Sequence, residues 1–255
     1  MTMLALVLVA LALLSSEVCS FAPTIRVGRS GGREVRSLQM SVLGDPSKWA
    51  RPKKTLIIFE YESSPFSRKV RQACELLDLS PEYRPCPGAR YGFSDQLALR
   101  TMGERTVPYM SDPGNPIGTL ANMRESDVII AYLFDYFGPG KAKIPGSLKG
   151  PLAGFGLGKA ISKPFPGYKE TNMFLKPMEL WGYEGGPSQP VRALLCELCL
   201  AHKAVNTSKG SQNLAQLQAK SGGKIPYLED PNTNKKIIGV NEIKAHLLAN
   251  YVNKT

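Results

Sequence analysis

At 255 residues the chain can hold one domain or two, and its 43% apolar and 21% charged composition is that of an ordinary globular protein. The formal charge is +11; residues 1–40 hold four Arg and two Glu, so +9 remains without them. That balance permits contact with anionic surfaces, but no basic helix with interleaved aromatics marks a nucleic-acid reader, and nucleic acid is not expected as a partner.

Met3 to Leu14 is an apolar run too short to span a bilayer, and small residues follow it. Val18-Cys19-Ser20 supplies small residues at the −3 and −1 positions of a signal-peptidase cut before Phe21, although a positive leading segment is missing. Phe21-Ala22-Pro23 then opens a stretch with Arg26, Arg29, Arg33 and Arg36 against the single acid Glu34, which is transit-peptide composition. The arrangement resembles the bipartite plastid presequence of algae with secondary plastids. It implies a signal peptide over 1–20, a transit peptide over 21–40 and a mature protein in the stroma; secretion is the alternative. Cys74, Cys86, Cys196 and Cys199 lack the spacing of a disulfide scaffold and suit a reducing compartment.

The remaining chain states one pattern twice, over 55–137 and 178–253. In the first copy Thr55 to Glu60 reads as a buried strand, and Pro65 opens a helix where its missing N–H costs nothing. Val70, Ala73, Cys74 and Leu77 form that helix's apolar stripe. A strand near Glu82–Pro85, a helix near Ser94–Arg100, a strand beginning Val107–Met110, a turn at Asp112–Asn115, a further strand and a helix over Glu125–Tyr136 complete a βαβαββα order. The second copy predicts Met178–Trp181, a helix over Pro190–Ala201, His202–Asn206, a helix over Ser211–Lys220, Ile225–Leu228, Lys236–Ile238 and a helix over Glu242–Tyr251. Between them, residues 138–177 hold eight Gly, six Pro and seven Lys with Glu170 the only acid, and read as a linker. It is taken as a solvated tether; docking of Phe155, Leu157 and Ile161 on a neighbour, or peripheral membrane contact through them and the lysines, is the other reading.

Val107-Pro108-Tyr109-Met110-Ser111-Asp112-Pro113 recurs as Ile225-Pro226-Tyr227-Leu228-Glu229-Asp230-Pro231. An apolar strand, a Pro-opened helix and a later x-Pro-Tyr strand resemble the thioredoxin fold. More closely they resemble the glutathione-binding N-terminal domain of glutathione transferases and glutaredoxins, and the tandem arrangement looks like plastid and cyanobacterial proteins with two such domains. The resemblance implies an α/β fold of two thioredoxin-like domains, with cis bonds before Pro108 and Pro226 and the Val107 backbone presented to the cysteinyl part of glutathione.

Glu125-Ser126-Asp127 matches the transferase Glu-Ser that starts the third helix. Free N–H groups at a helix N-terminus and the Ser126 hydroxyl suit the γ-glutamyl carboxylate, while Glu125 or Asp127 meets the ammonium; an ordinary N-cap is the alternative. Ser64-Pro65-Phe66-Ser67-Arg68 stands where glutaredoxins carry Cys-Pro-Phe/Tyr-Cys. Disulfide exchange needs an attacking thiolate, so with Ser64 and Ser67 in place neither dithiol nor monothiol reduction is available, and the cysteine ligand of a cluster is lost. Ser-Pro-Phe-Ser resembles tau-class transferases, in which the first serine bonds the glutathione sulfur. Ser64 then either poises that sulfur or only caps its helix.

In the second copy Val191-Arg192 aligns with Val70-Arg71, which sets Ser188 opposite Ser67 and leaves no hydroxyl opposite Ser64. Val240-Asn241-Glu242 is set against Glu125-Ser126-Asp127, and a packing or dimerisation role is expected. Cys196-Glu197-Leu198-Cys199 lies inside a helix with only His202 nearby, so neither zinc nor redox chemistry is expected, and no metal is implied. Cys74 reads as core, Cys86 as an exposed loop thiol and His246 as a surface residue. The implied ligand is glutathione, with an unknown electrophile or protein partner. Two readings stand: a transferase-like enzyme, or a non-catalytic thioredoxin-fold scaffold.

Overall fold

The computed structural model describes residues 43–115, 122–150 and 162–253. The expected signal and transit segments and Phe155, Leu157 and Ile161 lie outside the described residues.

The first copy folds as β1 (Ile57–Glu60), α1 (Pro65–Leu76), β2 (Glu82–Pro85), α2 (Ser94–Arg100), β3 (Tyr109–Ser111), β4 (Asn122–Arg124) and α3 (Ser126–Phe137). The second repeats the order as β5 (Met178–Gly182), α4 (Gln189–Glu197), β6 (His202–Asn206), α5 (Leu214–Ser221), β7 (Tyr227–Asp230), β8 (Lys235–Ile238) and α6 (Val240–Tyr251). Both carry the expected βαβαββα thioredoxin-like order. Val107-Pro108 and Ile225-Pro226 are cis. β3 and β7 start at the tyrosines rather than at Val107 and Ile225, because a proline has no N–H for the ladder. α4 stops at Glu197, short of Ala201, and Cys199 turns to φ 56 beyond it.

Each central strand is covered on both faces, which is why β1 and β5 are short apolar runs. Ile58 packs with Val70, Leu77, Ile129 and Leu133 under α1 and α3, while Phe59 packs on the other face with Phe93, Leu97 and Tyr109 under α2. Leu180 and Trp181 divide in the same way, the first among Leu194, Leu195, Ile243 and Leu247, the second with Val205, Leu217 and Tyr227.

The eight strands of the described residues join one sheet in the order β4-β3-β1-β2-β6-β5-β7-β8. Within each copy the central strand pairs parallel to one neighbour and antiparallel to the other, so that Phe59 faces Tyr109 as Trp181 faces Tyr227. Ile57 faces Glu82 as Glu179 faces Lys203, which makes Lys203 the counterpart of Glu82. At the seam β2 and β6 run antiparallel, and Glu82 pairs with Lys203. Equivalent edges therefore meet about a local two-fold. An isolated copy would expose β2 as an open edge, and the second copy covers it. The packing role expected of the second copy is thus met inside the chain.

The described linker residues do not behave as a tether. Leu148 is buried in the first core, and Phe165, Tyr168 and Leu175 pack against the second. Asn172 is buried and donates through Nδ2 to Leu198 O at 2.9 Å and Tyr251 O at 3.0 Å. Apolar residues spaced among the glycines find the backs of α1 and α6, which composition alone does not reveal. No helix among the described residues is long and apolar enough to cross a membrane.

Candidate functional site

Register brings the sequence-predicted residues to one end of the first sheet. Phe59 pairs with Tyr109, and Tyr109 pairs with Arg124. The segments leaving that row, Tyr61–Ser64, Val107–Pro108 and Glu125–Ser126, are consequently neighbours. A direct bond fixes the arrangement: Lys69 Nζ in α1 donates to Asp127 Oδ1 in the first turn of α3 at 2.6 Å and to Gly150 O at 3.1 Å. Lys69 is fully buried although its partner is largely exposed. Asp127 is thereby occupied, which leaves Glu125 as the carboxylate at this helix end. Glu125 is exposed and held at φ 65 immediately before α3, while Ser126 is buried.

Ser64 is the N-cap of α1: its Oγ accepts from Ser67 N at 3.2 Å, and Pro65 follows in the first turn. Ser64 and Ser67 are 2% and 1% exposed, and the Ser67 Oγ has no hydrogen-bond partner among the described residues. Val107 and Pro65 are half-buried and Pro108 is buried. Sequence reasoning missed the closure beside this site. Ser63 N donates to Ser162 Oγ at 3.2 Å and Ser162 N donates to Ser63 Oγ at 2.7 Å, so the linker is fastened next to Ser64.

The second copy keeps less than the sequence suggested. Tyr109 faces Arg124 as Tyr227 faces Ile238, so Gly239 and Val240, rather than Val240 and Asn241, stand at the positions of Glu125 and Ser126. The one-residue shift is fixed by strand register and removes both polar groups. With Val191 set against Val70, α4 also lacks the first turn that carries Ser64 and Pro65 in α1. Ser188 Oγ instead accepts from Tyr183 N at 3.2 Å, and a Cβ on Gly182 would lie 1.9 Å from that oxygen. Gly182 leaves room for the contact.

Beneath the site, at the seam, lies a buried ion cage. Arg71 donates to Glu60, to Glu184 Oε2 at 3.1 Å and to Glu62 O at 2.9 Å. Arg192 donates to Glu62 at 2.7 and 2.9 Å and lies 2.8 Å from Glu184. Tyr61-Glu62 and Val70-Arg71 recur as Tyr183-Glu184 and Val191-Arg192, and each arginine crosses to the other copy's glutamate. That recurrence was the available signal. Three carboxylates face two guanidiniums, and burial pushes Glu60 up to about 7 against the pull of Arg71.

The four described cysteines, Cys74, Cys86, Cys196 and Cys199, are buried and unpaired by disulfides. Burial pushes Cys74 and Cys199 up to about 12 and raises Cys86 and Cys196 as well. Cys86 is a correction: it packs with Phe59, Phe93 and Leu97 rather than facing solvent. His246 is another, since its Nε2 lies 2.8 Å from the buried Asp230 carboxylate. His202 is buried with its Nδ1 3.2 Å from Leu200 O, and desolvation lowers it to about 4. No group of three metal-ligating side chains occurs among the described residues.

The βαβαββα repeat, the cis-prolines and the capped α1 define a thioredoxin-like protein. The family described as Glutathione S-transferase, N-terminal domain, matches residues 58–141 and again 180–255. The chain belongs to that family. No curated protein and no solved structure matches it.

Proposed function

We propose that the first copy binds glutathione and presents its sulfur for attack on an electrophile, as a glutathione transferase-like protein of the plastid. In this reading Ser64, with Pro65 and Ser67, lines the sulfur end, the Val107 backbone before Pro108 pairs with the cysteinyl unit, and Glu125 with Ser126 holds the γ-glutamyl end. The observation that carries it is the Lys69–Asp127 bond, because it locks the N-termini of α1 and α3 side by side at the end of the sheet where Pro108 sits. Backbone N–H groups at the start of α3 then face a carboxylate, and a hydroxyl at the start of α1 faces the thiol. With serine at both former cysteine positions the chemistry is thiol addition rather than disulfide exchange. The domain plan is a presequence removed near Met40–Ser41, copies at 55–137 and 178–253, and a linker at 138–177.

Calorimetric titration with glutathione tests the reading. A dissociation constant tighter than about 1 mM, weakened about tenfold by Ser126→Ala, supports it. A non-catalytic scaffold is the second reading, favoured by the near-complete burial of Ser64 and its occupation as a cap. Binding without thiol-transfer activity, or no binding at all, selects the scaffold. Residence is tested apart from this: residues 1–40 fused to a fluorescent protein should direct it to the plastid, and secretion would exclude that address.

A further inference from the structure

At the end of β1 remote from Ser64, a polar cleft of about 460 Å³ opens across the seam. Its walls come from both copies: Arg51, Lys53 and Lys54 ahead of β1, Ser80 ahead of β2, Lys203 on β6 and Asn213 at the start of α5. The volume falls in the range of small-molecule sites, roughly 300–1,000 Å³. Asp78 is the one carboxylate among the lining residues. It is already occupied, accepting from Asn206 Nδ2 and Gln212 N at 2.9 Å each and lying 3.6 Å from Arg51. Arg51 is fixed in turn by donation to Leu77 O at 2.9 Å and Pro46 O at 2.9 Å. The Lys53 and Lys54 side chains have no hydrogen bond or ion pair among the described residues, and Lys203 has only a loose, half-exposed pair with Glu179 at 3.8 Å. Three lysines thus line a concave wall that focuses their field, next to a helix N-terminus of the same sign.

We propose that this cleft binds a small phosphorylated molecule of at least two negative charges, carrying no aromatic ring. The lining holds no aromatic side chain on which a base could stack, which argues against a nucleotide or single-stranded nucleic acid. Walls drawn from loops of both copies favour a compact ligand over an extended polyanion. A ligand held between Lys53–Lys54 and Lys203–Asn213 would also tie the two copies together across β2 and β6.

The test uses the full chain. Inorganic pyrophosphate and a hexose bisphosphate are titrated by calorimetry and thermal unfolding, against sodium chloride at matched ionic strength. The expected result is a dissociation constant below about 1 mM for one of the two probes, with the midpoint rising as ligand is added. Tighter binding of the hexose bisphosphate assigns a sugar phosphate, and tighter binding of pyrophosphate assigns a compact inorganic diphosphate. The variant Lys53→Gln/Lys54→Gln/Lys203→Gln should bind at least about tenfold more weakly while its glutathione titration stays unchanged, so the two sites fail or stand separately. No binding up to about 10 mM, an equal response to sodium chloride, or an undiminished affinity in the triple variant overturns the proposal. Preferential capture by RNA or anionic vesicles would overturn it as well.

Discussion

Replacing Arg192 with Met removes the guanidinium that crosses the seam while keeping most of its length. Arg192 donates to both oxygens of Glu62 at 2.7 and 2.9 Å and lies 2.8 Å from Glu184, and all three residues are buried. Without it Glu62 retains Arg71 only at 3.7 Å. Taking one partner from a buried pair leaves an uncompensated charge, and the usual loss is about 3–5 kcal/mol. Against a typical domain stability of about 5–15 kcal/mol this is large. In urea the midpoint should fall by about 1–2 M. Because the bonds run from one copy to the other, unfolding followed by tryptophan fluorescence and by circular dichroism should remain a single coincident transition. Arg192→Met/Glu62→Gln, which neutralises the stranded partner, should recover part of the loss. A shift below about 0.5 M, or two separate transitions with only one displaced, would refute the claim that the cage binds the copies into one unit.

Further outcomes follow from the same geometry. Glu60 is raised from its ordinary value to about 7, so the folded state holds a proton that the unfolded state has released, and stability should fall as pH rises from about 4.5 to 7. His202, lowered to about 4, acts in the opposite sense, since stability is lost as pH falls from about 6.5 towards 4. Glu60→Gln should therefore leave a profile that only rises with pH across this window, and a profile unchanged from the parent would contradict the assignment. Ser64→Gly should cost only a few tenths of a kcal/mol because glycine is a tolerable cap, whereas Ser64→Ala should cost about 1 kcal/mol. If Ser64 acts on the thiol, both variants lose glutathione-dependent thiol transfer alike; a Gly variant with full rate would make it a cap alone. Phe59→Ala should destabilise by about 3–5 kcal/mol because Phe59 is fully buried. All four described cysteines should resist a thiol reagent until the chain unfolds, as buried thiols of raised pKa do.

What the sequence made legible was local. The repeated x-Pro-Tyr-x segments, the Pro-opened helix and the Ser-Asp start of α3 placed nearly every element and gathered Ser64, Pro108 and Ser126. Non-local pairing was not legible. Nothing in the period of β2 or β6 says which edges meet, so the eight-stranded sheet and the charge cage came only with the structure, although Glu62, Arg71, Glu184 and Arg192 all belong to the recurring segments. The shifted register at Gly239–Val240 was hidden because Asn241-Glu242 offered polar residues one position too late. Cys86 was misplaced because a Pro-Gly loop reads as surface, yet its thiol turns under Phe59 and Phe93. The linker misled in the same way: glycine and proline describe the backbone's freedom, and Leu148, Phe165 and Asn172 decide where it packs.

The most direct measurement is amide chemical-shift mapping of the full chain titrated with reduced glutathione. Saturable shifts confined to Ser64–Arg68, Val107–Tyr109 and Glu125–Val128, with the Gly239–Glu242 amides unmoved, are the predicted result. Shifts of equal size at both copies, or none at Ser64 and Ser126 at millimolar glutathione, would contradict it.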